Sequence, residues 1–262
     1  MPTTSSDGVS LHYETDGEGE PVVFVPDAGY GAWQWAPQYD GLAGPYRTVV
    51  WDLRGTGRSE PSPGPYEVAT LTADLEAVLA SAELRHVNLV GAGLGGMIAL
   101  GYARAYDRAR SLTLFGTAPR GSLVDGDTLR SLHPTDRTNS SLADSLAGAV
   151  TDEFRDDQPE TIDRICEWRA AEDADGAALD AQFAAMERFE AGPLYELTLP
   201  TLVCHGLADP VVDADVGRQL AEELPAGEFE PVAGKHLCQF EHGRAVTDRL
   251  DGFLSEHGSG GP

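Results

Sequence analysis

The 262-residue chain predicts an α/β protein built on a mostly parallel sheet. Short apolar runs alternate with stretches of helical periodicity, the rhythm of successive βα units. The runs are apolar on both faces rather than alternating, as strands buried under helices on each side must be. One of them, residues 87–91, passes straight into Gly91-Ala92-Gly93-Leu94-Gly95-Gly96 and then a helix.

Residues 9–14 alternate and are expected as an edge strand. Residues 22–25, 48–52, 87–91 and 112–115 are rich in β-branched or large apolar side chains and are expected as buried strands, with 201–205 and 228–232 completing the set. Helices are expected over residues 69–82, 94–106, 213–223 and 244–254. Residues 119–197 break the rhythm. They hold no strand candidate, a polar stretch at 133–141 and then helical periodicity through 162–190. An inserted helical cap is expected there, with the core made of 1–118 and 198–255 and residues 256–262 a frayed tail.

Asp plus Glu number 43 against 18 Lys plus Arg, a net charge of −25, and Lys235 is the one lysine. A field of that sign repels nucleic acid and anionic membranes, so a small-molecule substrate or ligand is the expected partner. The acids are spread along the chain rather than blocked, which reads as a solvated surface. A lysine-poor, acid-rich surface is similar to those of salt-adapted, halophilic proteins, where ionic strength screens self-repulsion. The first ten residues show no basic and apolar leader pattern, and no apolar run nears the ~20 residues that span a bilayer. Cys166, Cys204 and Cys238 are an odd set without metal spacing, which favours a reduced, cytoplasmic setting. No metal and no cofactor is expected. Oligomeric state is not legible.

Open parallel sheets bind ligands at the carboxyl ends of their strands, and the chemistry-bearing residues fall there. The turn at Gly93 has the strand–turn–helix context of a nucleophile elbow, G-x-S-x-G, with glycine at the centre. Gly91, Gly93 and Gly96 also fit the dinucleotide pattern G-x-G-x-x-G. However, the strand is not the first, and no acidic residue closes another strand about 20 residues on.

Taken together, the order of motifs resembles the α/β-hydrolase superfamily. It runs from Val22-Val23-Phe24-Val25-Pro26-Asp27-Ala28-Gly29 to Asp52-Leu53-Arg54-Gly55-Thr56-Gly57-Arg58-Ser59, the elbow, residues 201–209 and residues 234–241. Within it the chain is most similar to small esterases and β-ketoadipate enol-lactonases. The resemblance implies an eight-stranded, mostly parallel sheet with helices on both faces and the cap after the sixth strand. It also implies a triad acid at Asp209 and a triad histidine at His236, with Gly93 at the vacated nucleophile position. The oxyanion donors carry over as the N–H groups of Leu94 and Ala28. Where the family has His-Gly or a small polar pair, this chain has Pro26-Asp27. A carboxylate of Asp27 pointing inward would be a substrate contact or would oppose an oxyanion. Trp33 and Trp168 are candidate pocket walls, and Trp35 joins them as core or wall. Asp52 and Arg54 are expected to pair across their glycine turn. Cys238, Cys204 and Thr117 are the weaker candidates for a replacement nucleophile. A serine at 93 is expected to be tolerated, at about 1–3 kcal/mol for its positive φ.

Without a hydroxyl at 93 no acyl-serine can form. The leading expectation is hydrolysis of a small ester or lactone by a His236–Asp209 dyad that activates a water over Gly93. The alternatives are a lyase or isomerase on the same fold, or a binding protein that has lost catalysis.

Overall fold

A computed structural model describes residues 2–257. Its eight-stranded sheet has the order β1-β2-β4-β3-β5-β6-β7-β8. The strands are β1 (Thr3–Ser6), β2 (Val9–Asp16), β3 (Glu20–Val25), β4 (Tyr46–Trp51), β5 (Val87–Ala92), β6 (Ala109–Phe115), β7 (Thr201–Gly206) and β8 (Gly227–Val232). From β4 across to β8 every neighbouring pair is parallel, and β1–β2 and β2–β4 are antiparallel.

The edge is β1, not residues 9–14 as the alternation suggested. Thr3–Ser6 carries no apolar pattern, but Asp7-Gly8 follows it with φ of 49° and 77°. Both central residues of a tight primed hairpin need positive φ, which Asp-Gly supplies, and Ser6 pairs with Val9 across the turn.

Side chains alternate between the faces of the sheet, so neighbours in β3 split between two cores. Val22 and Phe24 pack with Leu42, Val246, Leu250, Phe253 and Leu254. The last five come from α1 (Ala36–Leu42) and α11 (Gly243–His257). Val23 and Val25 pack on the opposite side with Leu71, Leu75 and Val78 of α2 (Val68–Ser81) and Met97 and Ile98 of α3 (Leu94–Ala105). The expected tail begins too early, since Glu256 and His257 still belong to α11. Residues 258–262 lie outside the described residues.

Between β6 and β7 the chain is helical, as the periodicity predicted, but in short pieces. These are α4 (Gly126–Ser131), α5 (Asn139–Ser145), α6 (Asp152–Asp157), α7 (Pro159–Glu172) and α8 (Gly176–Glu187). The helical pattern read through 162–190 is interrupted at Asp173-Ala174-Asp175, where the backbone turns to dock on the loop after β3. Ala174 N–H donates to Gly29 O at 2.8 Å, and Gly29 N–H donates to Gln182 Oε1 at 2.8 Å. After β7 come α9 (Ala214–Glu223) and, past β8, α10 (Cys238–Glu241).

The glycine turn after β4 departs from expectation. Asp52 accepts the Arg58 N–H at 3.0 Å and so does pin the turn, but Arg54 turns away from it. Arg54 makes a two-pronged bond to Asp74 of α2 at 2.5 and 2.7 Å, with both residues buried. A guanidinium fork matches a carboxylate in a way that a lateral pair across a tight turn does not. Removing one partner of such a pair strands a buried charge. Arg54→Ala should therefore cost about 3–5 kcal/mol by urea unfolding, while Arg54→Met with Asp74→Leu should regain most of it.

Candidate active site

β3 and β5 are neighbours, with Val25 beside Gly91, so the chain leaving each strand arrives at the same place on the carboxyl edge. The turn after β5 places Gly93 at φ 46°, ψ −112°, a conformation that costs glycine almost nothing. Gly93 N–H donates to Phe115 O, and Thr117 Oγ1 donates to Gly93 O at 2.6 Å, which gives Thr117 a structural job rather than a chemical one. A Cβ built on Gly93 would overlap the carboxylate of Asp27. The space beside the turn is therefore already taken, and the expectation that a serine at 93 costs no more than its backbone strain does not hold.

Asp27 points inward and is fully buried. Its Oδ1 accepts the Leu94 N–H and the Ala28 N–H, each at 2.6 Å. These are the two backbone donors the sequence reading assigned to an oxyanion hole, and here they hold a side-chain oxygen of the protein itself. The other oxygen, Oδ2, lies 2.9 Å from His236 Nε2. The loop is held from outside as well, because Asp27 N–H donates to Gln34 Oε1 at 2.8 Å.

His236, in the loop after β8, is buried between two carboxylates. Its Nδ1 is 2.9 and 3.0 Å from the oxygens of Asp209, in the loop after β7. Each ring nitrogen faces an acceptor, so both carry protons and the ring is an imidazolium. Burial alone would lower its pKa, but Asp209 and then Asp27 outweigh that and lift it to about 10. Burial would likewise raise the carboxyl of Asp209. The charge of His236 and the hydrogen bonds of His205 and His236 instead hold it well below the usual range. Asp209 Oδ1 also accepts the N–H groups of Val211 and Val212 at 2.8 and 3.2 Å. Asp27, His236 and Asp209 form one continuous chain, carboxylate–imidazolium–carboxylate, ending on the two backbone donors beside Gly93.

The place over Gly93 expected to hold a water is occupied by this chain. The polar groups that would hold such a water, His236 Nε2 and the Leu94 N–H, are both bonded to Asp27. Trp33 and Trp168 are not at this site. They line a separate cavity of about 250 Å³ with His12, Asp52 and Glu172. Trp35 is core, packed on Phe24 and Phe115. Cys204 and Cys238 are buried free thiols, and burial pushes both pKa values up, the opposite of what a thiolate nucleophile needs.

Two wall residues escaped the sequence reading. Tyr30 and His133 are buried with ring centroids 4.6 Å apart and planes tilted by 47°, and neither Tyr30 Oη nor His133 Nε2 has a hydrogen-bond partner among the described residues. Burial lowers the His133 pKa well below normal, so that ring is neutral. Tyr30 shares a loop with Asp27 and could have been suspected. His133 lies in a polar stretch without periodicity, and nothing in the sequence ties it to the site. Among the described residues no group of three His, Cys, Asp or Glu side chains is placed to hold a metal ion, and no helix is long and apolar enough to cross a membrane.

Comparison with known proteins agrees with this geometry at the level of the family. The chain is 27% identical over 258 residues to 3-oxoadipate enol-lactonase 1 of Acinetobacter baylyi, covering 96% of this chain and 95% of that protein. It is 34% identical to a putative carbamate hydrolase of Azorhizobium caulinodans over a shorter stretch, 44% of this chain and 43% of that one. The crystal structure of the enol-lactonase from Burkholderia xenovorans superposes with a TM-score of 0.83 at 24% identity, covering 97% of this chain and 100% of that one, which speaks to the fold. Residues 22–249 match the alpha/beta hydrolase family, and with its sheet order and its site on the carboxyl edge the chain belongs to that family.

Proposed function

We propose that the chain is a hydrolase of a small uncharged molecule in which the Asp27 carboxylate is the reacting group. His236 is its acid–base partner, Asp209 orients His236, and Gly93 stands where a hydroxyl nucleophile is lacking. One observation carries this reading: Asp27 Oδ1 is cradled by the N–H groups of Leu94 and Ala28 while its Oδ2 faces the protonated His236. A carboxylate so held is oriented before any substrate arrives, which is the entropic part of catalysis. The buried setting strengthens each of its electrostatic contacts.

A second reading keeps His236–Asp209 as a dyad that activates water against a small ester or lactone. The full-length likeness to a protein named an enol-lactonase favours it. It asks more of the site. Asp27 must leave the two N–H groups so that a substrate carbonyl can take them, and His236 must first lose its proton.

The two readings separate in mutants and in pH. If Asp27 reacts, Asp27→Asn should lose on the order of 10³-fold or more in kcat/KM. On the dyad reading, Asp27→Gly frees the donors and ester turnover should rise instead. The first reading needs His236 protonated, so the rate should hold through neutral pH and fall as pH rises through about 10. The dyad needs the neutral ring, so its rate should climb over the same range. Stability follows the same group. Its folded pKa of about 10 lies above the ordinary 6.5, so the stabilisation is complete below 6.5 and is lost as pH rises toward 10. Thermal unfolding across that window should show a falling Tm that His236→Gln flattens.

Restoring the missing hydroxyl tests the steric side. Gly93→Ser alone should lower the urea midpoint, because Asp27 must be displaced on top of about 1–3 kcal/mol of backbone strain. Gly93→Ser with Asp27→Gly should recover the displacement part and become reactive toward fluorophosphonates, to which the natural chain should be inert.

A further inference from the structure

We propose that the protein holds a second binding site, apart from the carboxylate–imidazolium–carboxylate chain, for a small organic cation of the quaternary ammonium class. The site is the cavity of about 250 Å³ walled by Trp33, Trp51, Trp168, Asp52 and Glu172. None of Asp27, Gly93, Leu94, Asp209 or His236 lines it, so the inference is independent of the chemistry over Gly93.

The charge on the walls sets the sign of the occupant. Glu14, Asp40, Asp52 and Glu172 are set against one guanidinium, Arg58, which pairs with Glu14 at 2.5 Å. Asp52 is buried and Glu172 half-buried. Each is oriented by a backbone N–H that it accepts, Asp52 from Arg58 at 3.0 Å and Glu172 from Trp33 at 3.3 Å. Burial is the largest influence on both carboxyls and pushes both pKa values up, and the charge of Asp52 pushes Glu172 further. Arg58 pulls each the other way without outweighing this. A carboxylate in that position carries charge that its surroundings have not fully compensated, and a bound cation supplies what is lacking. The chain's net charge of −25 acts in the same direction, drawing cations in and turning anions away.

The aromatic walls set its chemistry. Among the described residues no three His, Cys, Asp or Glu side chains converge to hold a metal ion, whereas three of the chain's four tryptophans meet at this cavity. Trp33 and Trp168 lie nearly parallel, their planes 19° apart and their centroids at 6.5 Å. Trp33 is locked in place by its Nε1–H, which donates to Asp173 Oδ1 at 2.7 Å. An indole face attracts cations more strongly than any other side-chain ring, and a quaternary ammonium, sheathed in methyl groups, makes apolar contact with it as well. Trp51 is fully buried, and its Nε1 has no hydrogen-bond partner among the described residues. The same wall therefore holds an unmatched donor, suited to an oxygen on the ligand. A cavity of about 250 Å³ falls short of the roughly 300–1,000 Å³ that drug-sized molecules fill, so the occupant is small. Trp51 ends β4 and Asp52 follows it, whereas Trp168 and Glu172 belong to α7, so a bound cation joins the helical insert to the sheet.

The test is a calorimetric titration of the full chain with choline in 1 M sodium chloride, which screens the surface field. Its uncharged isostere, 3,3-dimethylbutan-1-ol, is titrated beside it. The expected result is one choline per chain, with the isostere weaker by about tenfold or more. Glu172→Gln removes one charge, and Trp168→Leu removes one indole face while keeping apolar bulk. Each should weaken choline about tenfold. Should Trp168→Leu fail to fold, Glu172→Gln carries the test, because a glutamine there still offers an acceptor to the Trp33 N–H. The absence of saturable choline binding overturns the site. Equal binding of the isostere overturns the cation class. Choline affinity unchanged in Glu172→Gln and in folded Trp168→Leu overturns the assignment to this cavity.

Discussion

The site depends on one contact, the seating of the Asp27 carboxylate on the N–H groups of Leu94 and Ala28. A helix begins at Leu94, and its first N–H groups have no partner within the helix. A turn at the end of β5 aims one of them at the space beside Gly93. An anion is the natural occupant of such a place, because the helix dipole and the unpaired donors both favour negative charge. Here the anion is supplied by the chain itself, from the neighbouring strand's loop.

Much of the rest follows from that seating. With Asp27 in place, position 93 has no room for a Cβ, so its positive φ and its lack of a side chain serve the same end. His236 lies between two carboxylates and keeps its proton, which reverses the role a triad histidine plays beside a hydroxyl. The buried triad carries a net charge of one electron, with each member hydrogen-bonded. A half-satisfied set of charges at this depth would cost several kcal/mol. The loop that carries Asp27 is in turn tied to the helices inserted between β6 and β7, through Gln182, Ala174 and Asp173. Asp173 accepts from Gly31 N–H at 3.2 Å and from Trp33 Nε1 at 2.7 Å. A change in that insert therefore reaches the Asp27 carboxylate through hydrogen bonds to its own loop.

Arg169 shows how the insert is made rigid enough for this. Buried at 1% exposure, it donates to Asp173 Oδ2, Ser145 Oγ and Leu132 O at 2.7–2.8 Å, and its guanidinium lies over the ring of Tyr30. One side chain thus joins α7 to the end of α4, to α5 and to Tyr30. Nothing in its neighbourhood in the sequence marks it out from the other arginines.

The sequence by itself determined the buried strands of the sheet. Runs such as Val22–Val25 and residues 87–91 are apolar on both faces, and that pattern has few outcomes other than a buried parallel strand. It also determined which loops meet, since the carboxyl ends of neighbouring parallel strands must share an edge. Asp27, Gly93, Asp209 and His236 were therefore legible as one group. The strand Thr3–Ser6 was missed because it carries no apolar pattern, although the Asp7-Gly8 turn after it has the chemistry of a hairpin. Only the tertiary structure decided which way Asp27 points, and with it the charge on His236 and the absence of free space over Gly93. Whether Arg54 reaches Asp52 or Asp74 was decided there as well. Side-chain direction at a loop is set by what the facing element offers. For Asp27 the offers are a backbone N–H 67 positions away and an imidazole 209 positions away, and no local pattern records either.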